Sequence, residues 1–116
     1  MNEVSEIVKC VAPALFIYSE LLKWKQLQPV ETELYFYRTA AGLEVDFLLA
    51  SERGIIPIEA KSSDRVTAAD GRSVETFMAE HPDAAKVGLV VYPGDEVVEL
   101  RRNVRGVPDW YLLGAL

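Results

Sequence analysis

"GLEVDFLLASERGIIPIEAK", residues 42–61, places two extended segments on either side of a short polar turn. Read with a period of two, the first segment puts Val45, Phe47 and Leu49 on one side and Glu44, Asp46 and Leu48 on the other. The second puts Ile56, Ile58 and Ala60 on one side and Pro57, Glu59 and Lys61 opposite. Both are rich in β-branched, aromatic and aliphatic residues, and Ser51 to Gly54 supplies the turn. With the two strands as neighbours, Asp46, Glu59 and Lys61 converge on one face of a sheet. A buried, unpaired carboxylate is costly, so acids inside strand-like sequence imply compensation. The compensators at hand are Lys61 and a divalent cation.

Upstream, "ELYFYRT" (33–39) reads as an aromatic-rich strand, and the turn at residues 40–42 makes an antiparallel meander of the three. Residues 14–27 read as a helix that Pro29 ends. On its wheel Ala14, Leu15, Ile17, Tyr18, Leu21, Leu22 and Trp24 share one broad arc, with Ser19, Lys23 and Gln26 opposite. Glu20 lies at the edge of that arc. Downstream, "VTAADGRSVETFMAEHP" (66–82) reads as a second helix, with Thr67 and Asp70 as a capping pair and Val74, Phe77 and Met78 as its stripe. "KVGLVVY" (86–92) is a continuous apolar run, as expected of a strand covered on both faces. "EVVELRR" (96–102) is more polar and belongs near an edge. The tail "VPDWYLLGAL" (107–116) is expected to lie across the core through Trp110, Tyr111 and Leu112. The order is α-β-β-β-α-β-β, a mixed-sheet α/β fold. Residues 14–116 form one domain behind an extension at 1–13.

The whole chain sets bounds on function. Its 116 residues suit one domain with a modest core. Half are apolar and 26% are charged, the balance of an ordinary globular protein. Lys23 and Lys25 interrupt the longest apolar run, so no stretch spans a bilayer. The first ten residues carry acids without a basic start and do not read as a secretory signal. The lone Cys10 cannot form an internal disulfide, and a cytoplasmic location is expected. A net charge of −6 weighs against extended nucleic-acid binding. Carboxylates of a metal site contribute to such a balance until a cation neutralises them.

The chemistry suggested by Asp46, Glu59 and Lys61 is phosphodiester hydrolysis. Two carboxylates on adjacent strands suit a hard cation such as Mg²⁺, which prefers oxygen ligands. Such a cation polarises a phosphoryl group and lowers the pKa of a bound water. Lys61 would orient that water or stabilise developing negative charge. Glu20 would complete the site from the first helix.

"FYRTAAGLEVDFLL … IIPIEAKSS", with the upstream "FIYSELLKW", resembles the C-terminal domain of unknown function in a large family of prokaryotic ATPases with an AAA-type ATP-binding domain. That domain resembles the PD-(D/E)XK nuclease superfamily, and the resemblance spans residues 14–113. It implies a restriction-endonuclease-like mixed sheet flanked by helices. It also implies an Mg²⁺- or Mn²⁺-dependent nuclease with Asp46, Glu59 and Glu20 as acids of the metal site. Glu59-Ala60-Lys61 matches the (D/E)-X-K element, and Arg38 and Glu44 match a local "YR…G-x-EVDF" pattern expected to pair across the hairpin. Val45 stands where the superfamily often has proline. No G-x-x-x-x-G-K-[ST] motif occurs. The parent family carries that motif in a separate domain, so an ATPase domain, in cis or in trans, is the partner implied.

Each feature has a plainer reading. Asp46 and Glu59 on a solvated face, with Lys61 as a surface ion-pair partner, would contribute about 0–1 kcal/mol. Glu20 alone is equally a surface glutamate paired with Lys23 or Lys25. For the whole domain, the rival is a non-catalytic accessory or oligomerisation module of an ATPase. His81 suits a cationic helix cap, and Cys10 an inert thiol. Trp24, Trp110, Tyr35 and Tyr37 are expected in the core. Arg101, Arg102 and Arg105 are expected as a solubilising edge, and substrate specificity to come from a partner or a second copy.

Overall fold

The computed structural model describes residues 12–111. Cys10, Leu112 and the side chains of Ala14 and Leu15 lie outside what it describes. Helix α1 is Ala12–Gln26. Strands β1 (Thr32–Arg38), β2 (Glu44–Ser51) and β3 (Gly54–Ala60) follow. A 3₁₀ turn at Ala68–Gly71 leads into α2 (Arg72–Glu80). Strands β4 (Gly88–Tyr92), β5 (Val98–Arg101) and β6 (Val104–Pro108) complete the sheet. No helix among the described residues is long and apolar enough to cross a membrane.

The class is mixed α/β, with six strands in the order β1-β2-β3-β4-β6-β5. β1, β2 and β3 are the expected antiparallel meander. Gly42 (φ 101°) and Gly54 (φ 129°) supply the left-handed backbone of its two turns. β4 then runs parallel to β3, and β6 parallel to β4. All five residues of β4 are buried, as its unbroken apolar sequence requires at the centre of a sheet. β5 is the antiparallel outer edge.

One strand more than expected is present. β6 lies between β4 and β5, where the sequence suggests a tail directly after the β5 segment. Asn103 (φ 61°) makes the tight β5–β6 turn. Val104 is then buried, Arg105 exposed, and Gly106, Val107 and Pro108 buried, a short strand hidden between arginines and a Gly-Val-Pro run. The aromatic placement also needs correction. Trp24 packs against the core as expected. Trp110 is 67% exposed and Tyr35 53% exposed. Tyr35 lies on the sheet's other outer strand, and Trp110 spends its indole N–H on the carbonyl of Gly94 at 3.0 Å.

Each face of the sheet buries a core. On the α1 face Ile17 and Leu21 meet Phe47, Leu49, Ile58, Leu89, Val91 and Val107. On the α2 face Val74 and Phe77 meet Val45, Leu48, Val90 and Val104. Val45 therefore packs opposite to Phe47 and Leu49, against the simple alternation. Tyr35 faces Leu48 and Tyr37 faces Val45, so Phe36 alone on β1 spans both Asp46 and Phe47 on β2. This one-residue bulge breaks the period of two at the candidate acid.

Candidate functional site

The ladder between β2 and β3 ends at the Phe47–Ile58 pair, although β2 begins at Glu44 and β3 continues to Ala60. Past that pair, carboxylates take the place of backbone carbonyls. The N–H of Asp46 donates to Oε1 of Glu59 at 2.9 Å. The N–H of Ala60 donates to Oδ2 of Asp46, also at 2.9 Å. The acids thus bind each other's strands reciprocally, which answers how the chain tolerates them inside a sheet: they satisfy backbone donors that the interrupted ladder leaves over. Nearby, the rings of Tyr18, Phe36 and Phe47 form a triangle with centroids 5.4, 6.2 and 5.7 Å apart.

Burial and mutual repulsion disfavour ionising both acids. Loss of water, then the charge of Asp46, pushes Glu59 up to about 8, against the opposing hydrogen bond from the Asp46 N–H. Asp46 is raised by burial, opposed by the Ala60 N–H, with Glu44 adding to the rise. The pair consequently keeps a proton at neutral pH. Among the described residues, Oδ1 of Asp46 and Oε2 of Glu59 receive no protein donor. Two uncommitted oxygens from adjacent strands, both unfavourable as bare anions, are a donor set that fits a hard divalent cation.

The remaining residues of interest are disposed differently. Arg38 and Glu44 form the expected hairpin pair, with Nε donating to Oε1 at 2.7 Å. Lys61 makes no ion pair with Asp46 or Glu59. Its ammonium pairs with Oδ1 of Asp70. Oδ2 of the same Asp70 accepts the N–H of Thr67 at 2.7 Å, which realises the capping pair read from the sequence. Burial works against the charge of Asp70, but Lys61 and Thr67 outweigh it and hold Asp70 below the usual carboxylate value. Glu20 is bound to Lys23 at 3.0 Å. Among the described residues no three His, Cys, Asp or Glu side chains gather as a metal cluster, so Glu20 does not join the acid pair.

Two electrostatic partners have no signal in the sequence for the role they play here. Asp70 was legible as a cap but not as the counter-ion of Lys61, a contact that only the chain's return past β3 creates. Glu44 is legible as the partner of Arg38, yet its charge also acts on both half-buried acids. Arg101, expected as a solubilising edge, instead binds the carbonyl of Ala68 at 2.6 Å and Glu75 at 2.7 Å. His81 closes α2 as a cap: its Nδ1 lies 3.0 Å from the carbonyl of Phe77, and its ring stacks on Phe77 at 4.3 Å.

No curated protein and no solved structure matches the chain. Residues 15–111, which contain the acid pair, Lys61 and Asp70, match a family described as Domain of unknown function (DUF4143), and the chain belongs to that family.

Proposed function

We propose that this domain is a PD-(D/E)XK-type, metal-dependent nuclease module with a restriction-endonuclease-like fold, working in the cytoplasm beside an ATPase domain. The observation that carries the reading is the reciprocal pair of Asp46 and Glu59, half-buried and each with an uncommitted oxygen. Asp46 and Glu59 would hold Mg²⁺ or Mn²⁺, which supplies Lewis-acid polarisation of a phosphoryl oxygen and a more acidic water. The anchored oxygens keep both side chains in place, so little reorganisation accompanies binding. Lys61, two residues beyond Glu59 and paired with Asp70, would turn its positive charge to a phosphodiester arriving at this end of β3. Glu20 sits in a weak surface pair with Lys23. It would act as an auxiliary acid through water rather than as a direct ligand, since no three acids gather among the described residues.

The rival reading, an accessory module of an ATPase, draws support from the pairing of Lys61 with Asp70 and the lack of a third acid among the described residues. Cleavage assays on single- and double-stranded DNA and RNA with Mn²⁺ decide between them. The nuclease reading expects cleavage that Glu59→Gln and Lys61→Ala abolish. Cleavage that persists in both variants, or none in the native protein that nonetheless binds Mn²⁺, leaves the accessory role.

A further inference from the structure

Lys61 stands two residues beyond Glu59 on an extended chain, a spacing that brings alternate side chains to the same side. Alternation alone would send the flexible Lys61 ammonium towards the half-buried carboxylates of Asp46 and Glu59, to which opposite charge attracts it. It does not go there. The backbone at this point is held on both sides, by the Ala60 N–H on Asp46 at 2.9 Å and the Lys61 N–H on the carbonyl of Val91 at 2.8 Å. The side chain is drawn instead to Asp70.

Asp70 is well placed to hold it. Its Oδ2 is anchored by the N–H of Thr67 at 2.7 Å and by the Thr67 hydroxyl at 3.3 Å. The turn carrying it is braced from β5, because Arg101 grips Ala68 and Glu75. Oδ1 is thus presented to Lys61 by a fixed support. The ion pair is partly sheltered, with Lys61 31% and Asp70 19% exposed, so solvent screens it less than a surface pair.

We propose that Asp70 is a positioning residue that keeps the acid pair open to a cation. By binding the Lys61 ammonium, it prevents Lys61 from neutralising Asp46 and Glu59 and occupying the space between their uncommitted oxygens. The inference rests on the metal-site reading above and deepens it: an internal competitor is held away from the ligands by an acid that is not itself a ligand.

The test is calorimetric titration of the full chain with MnCl₂. Asp70→Asn, which retains an acceptor for Thr67, is expected to weaken Mn²⁺ binding roughly three- to tenfold, the scale of one partly sheltered ion pair. Asp70→Glu is expected to recover most of the affinity. The decisive variant is Asp70→Asn with Lys61→Met, in which no ammonium is left to compete. It should bind within about twofold of the native chain, since the two changes are coupled rather than additive. A loss that arose only from damage to the turn would not be restored in this way. The inference is overturned if the native chain binds Mn²⁺ and Asp70→Asn binds equally well, or if the double variant stays as weak as Asp70→Asn. Native protein that takes up no Mn²⁺ at all overturns the metal site itself, and this inference with it. If Asp70→Asn unfolds, Asp70→Glu and Lys61→Met alone carry the test: Lys61→Met should bind at least as tightly as the native chain, and weaker binding counts against the competitor role.

Discussion

Glu59 accepts the backbone N–H of Asp46 at 2.9 Å, at the point where the ladder between their strands has stopped. The same carboxylate is disfavoured as an anion by its burial and by the charge of Asp46. One side chain thus closes a structural gap and stores an electrostatic cost that a proton or a cation relieves.

The first prediction concerns pH. Glu59 rises from an ordinary 4.5 to about 8 in the folded chain, and Asp46 is raised too. Between those values the native state binds more protons than the unfolded one. This contribution to stability is therefore fully present below about 4.5 and is lost as pH climbs towards about 8. Its slope reaches at most about 1.4 kcal/mol per pH unit for one proton. Urea unfolding across this range should show native stability falling relative to Glu59→Gln, with the variant the more stable at pH 8. A difference that does not change with pH contradicts the raised value.

A bound cation competes with that proton. Mn²⁺ affinity should rise with pH up to about 8 and then level, because the ligand must be deprotonated. Calorimetry in buffers of differing ionisation heat should detect a proton released on binding near neutral pH. Binding that is flat with pH and releases none points to ligands other than Glu59.

The close seat of α2 on the sheet gives a test of packing. A Cβ added at Gly88 would fall 2.0 Å from Cγ1 of Val74 and 3.0 Å from Sδ of Met78. Gly88→Ala should cost about 1–3 kcal/mol of stability by overpacking, measured by urea unfolding. Phe77→Ala, which empties the same layer beside Tyr37, should cost about 3–5 kcal/mol.

The hairpin pair should matter much less. Arg38 and Glu44 are each 55% exposed, so solvent screens them, and Glu44→Gln should change stability by at most about 1 kcal/mol. Its effect on the acids is separable: removing the Glu44 charge lowers the apparent pKa of Glu59, detectable by NMR titration of the labelled carboxyl.

Much of this was legible in the residues. The meander through residues 42–61, the buried β4 run and α1 follow from periodicity and turn chemistry. The second helix does in part, since of residues 66–82 only Arg72–Glu80 is α-helical, behind a 3₁₀ turn. What escaped depends on relations that no local pattern records. The bulge at Asp46 is an extra residue relative to β1, invisible to counting along β2 alone, and it moved Val45 to the opposite face. β6 was obscured because its buried positions include Gly106 and Pro108, which carry weak strand signals. Tyr35 stays exposed although Phe36 and Tyr37 beside it on β1 pack into the cores, a difference that no local pattern along the strand records. The acid pair was found because carboxylates in a strand demand an explanation. The pairing of Lys61 with Asp70 leaves no local signal, because Asp70 already has a partner in its own cap.

The most direct test of the metal site is titration of the native chain with MnCl₂ at about pH 8, alongside Asp46→Asn and Glu59→Gln, which keep the shape of each side chain. Saturable binding to the native chain that either substitution abolishes is the predicted result. Heats that are the same in all three proteins, or no binding to the native chain, would show that these carboxylates do not hold a common ion.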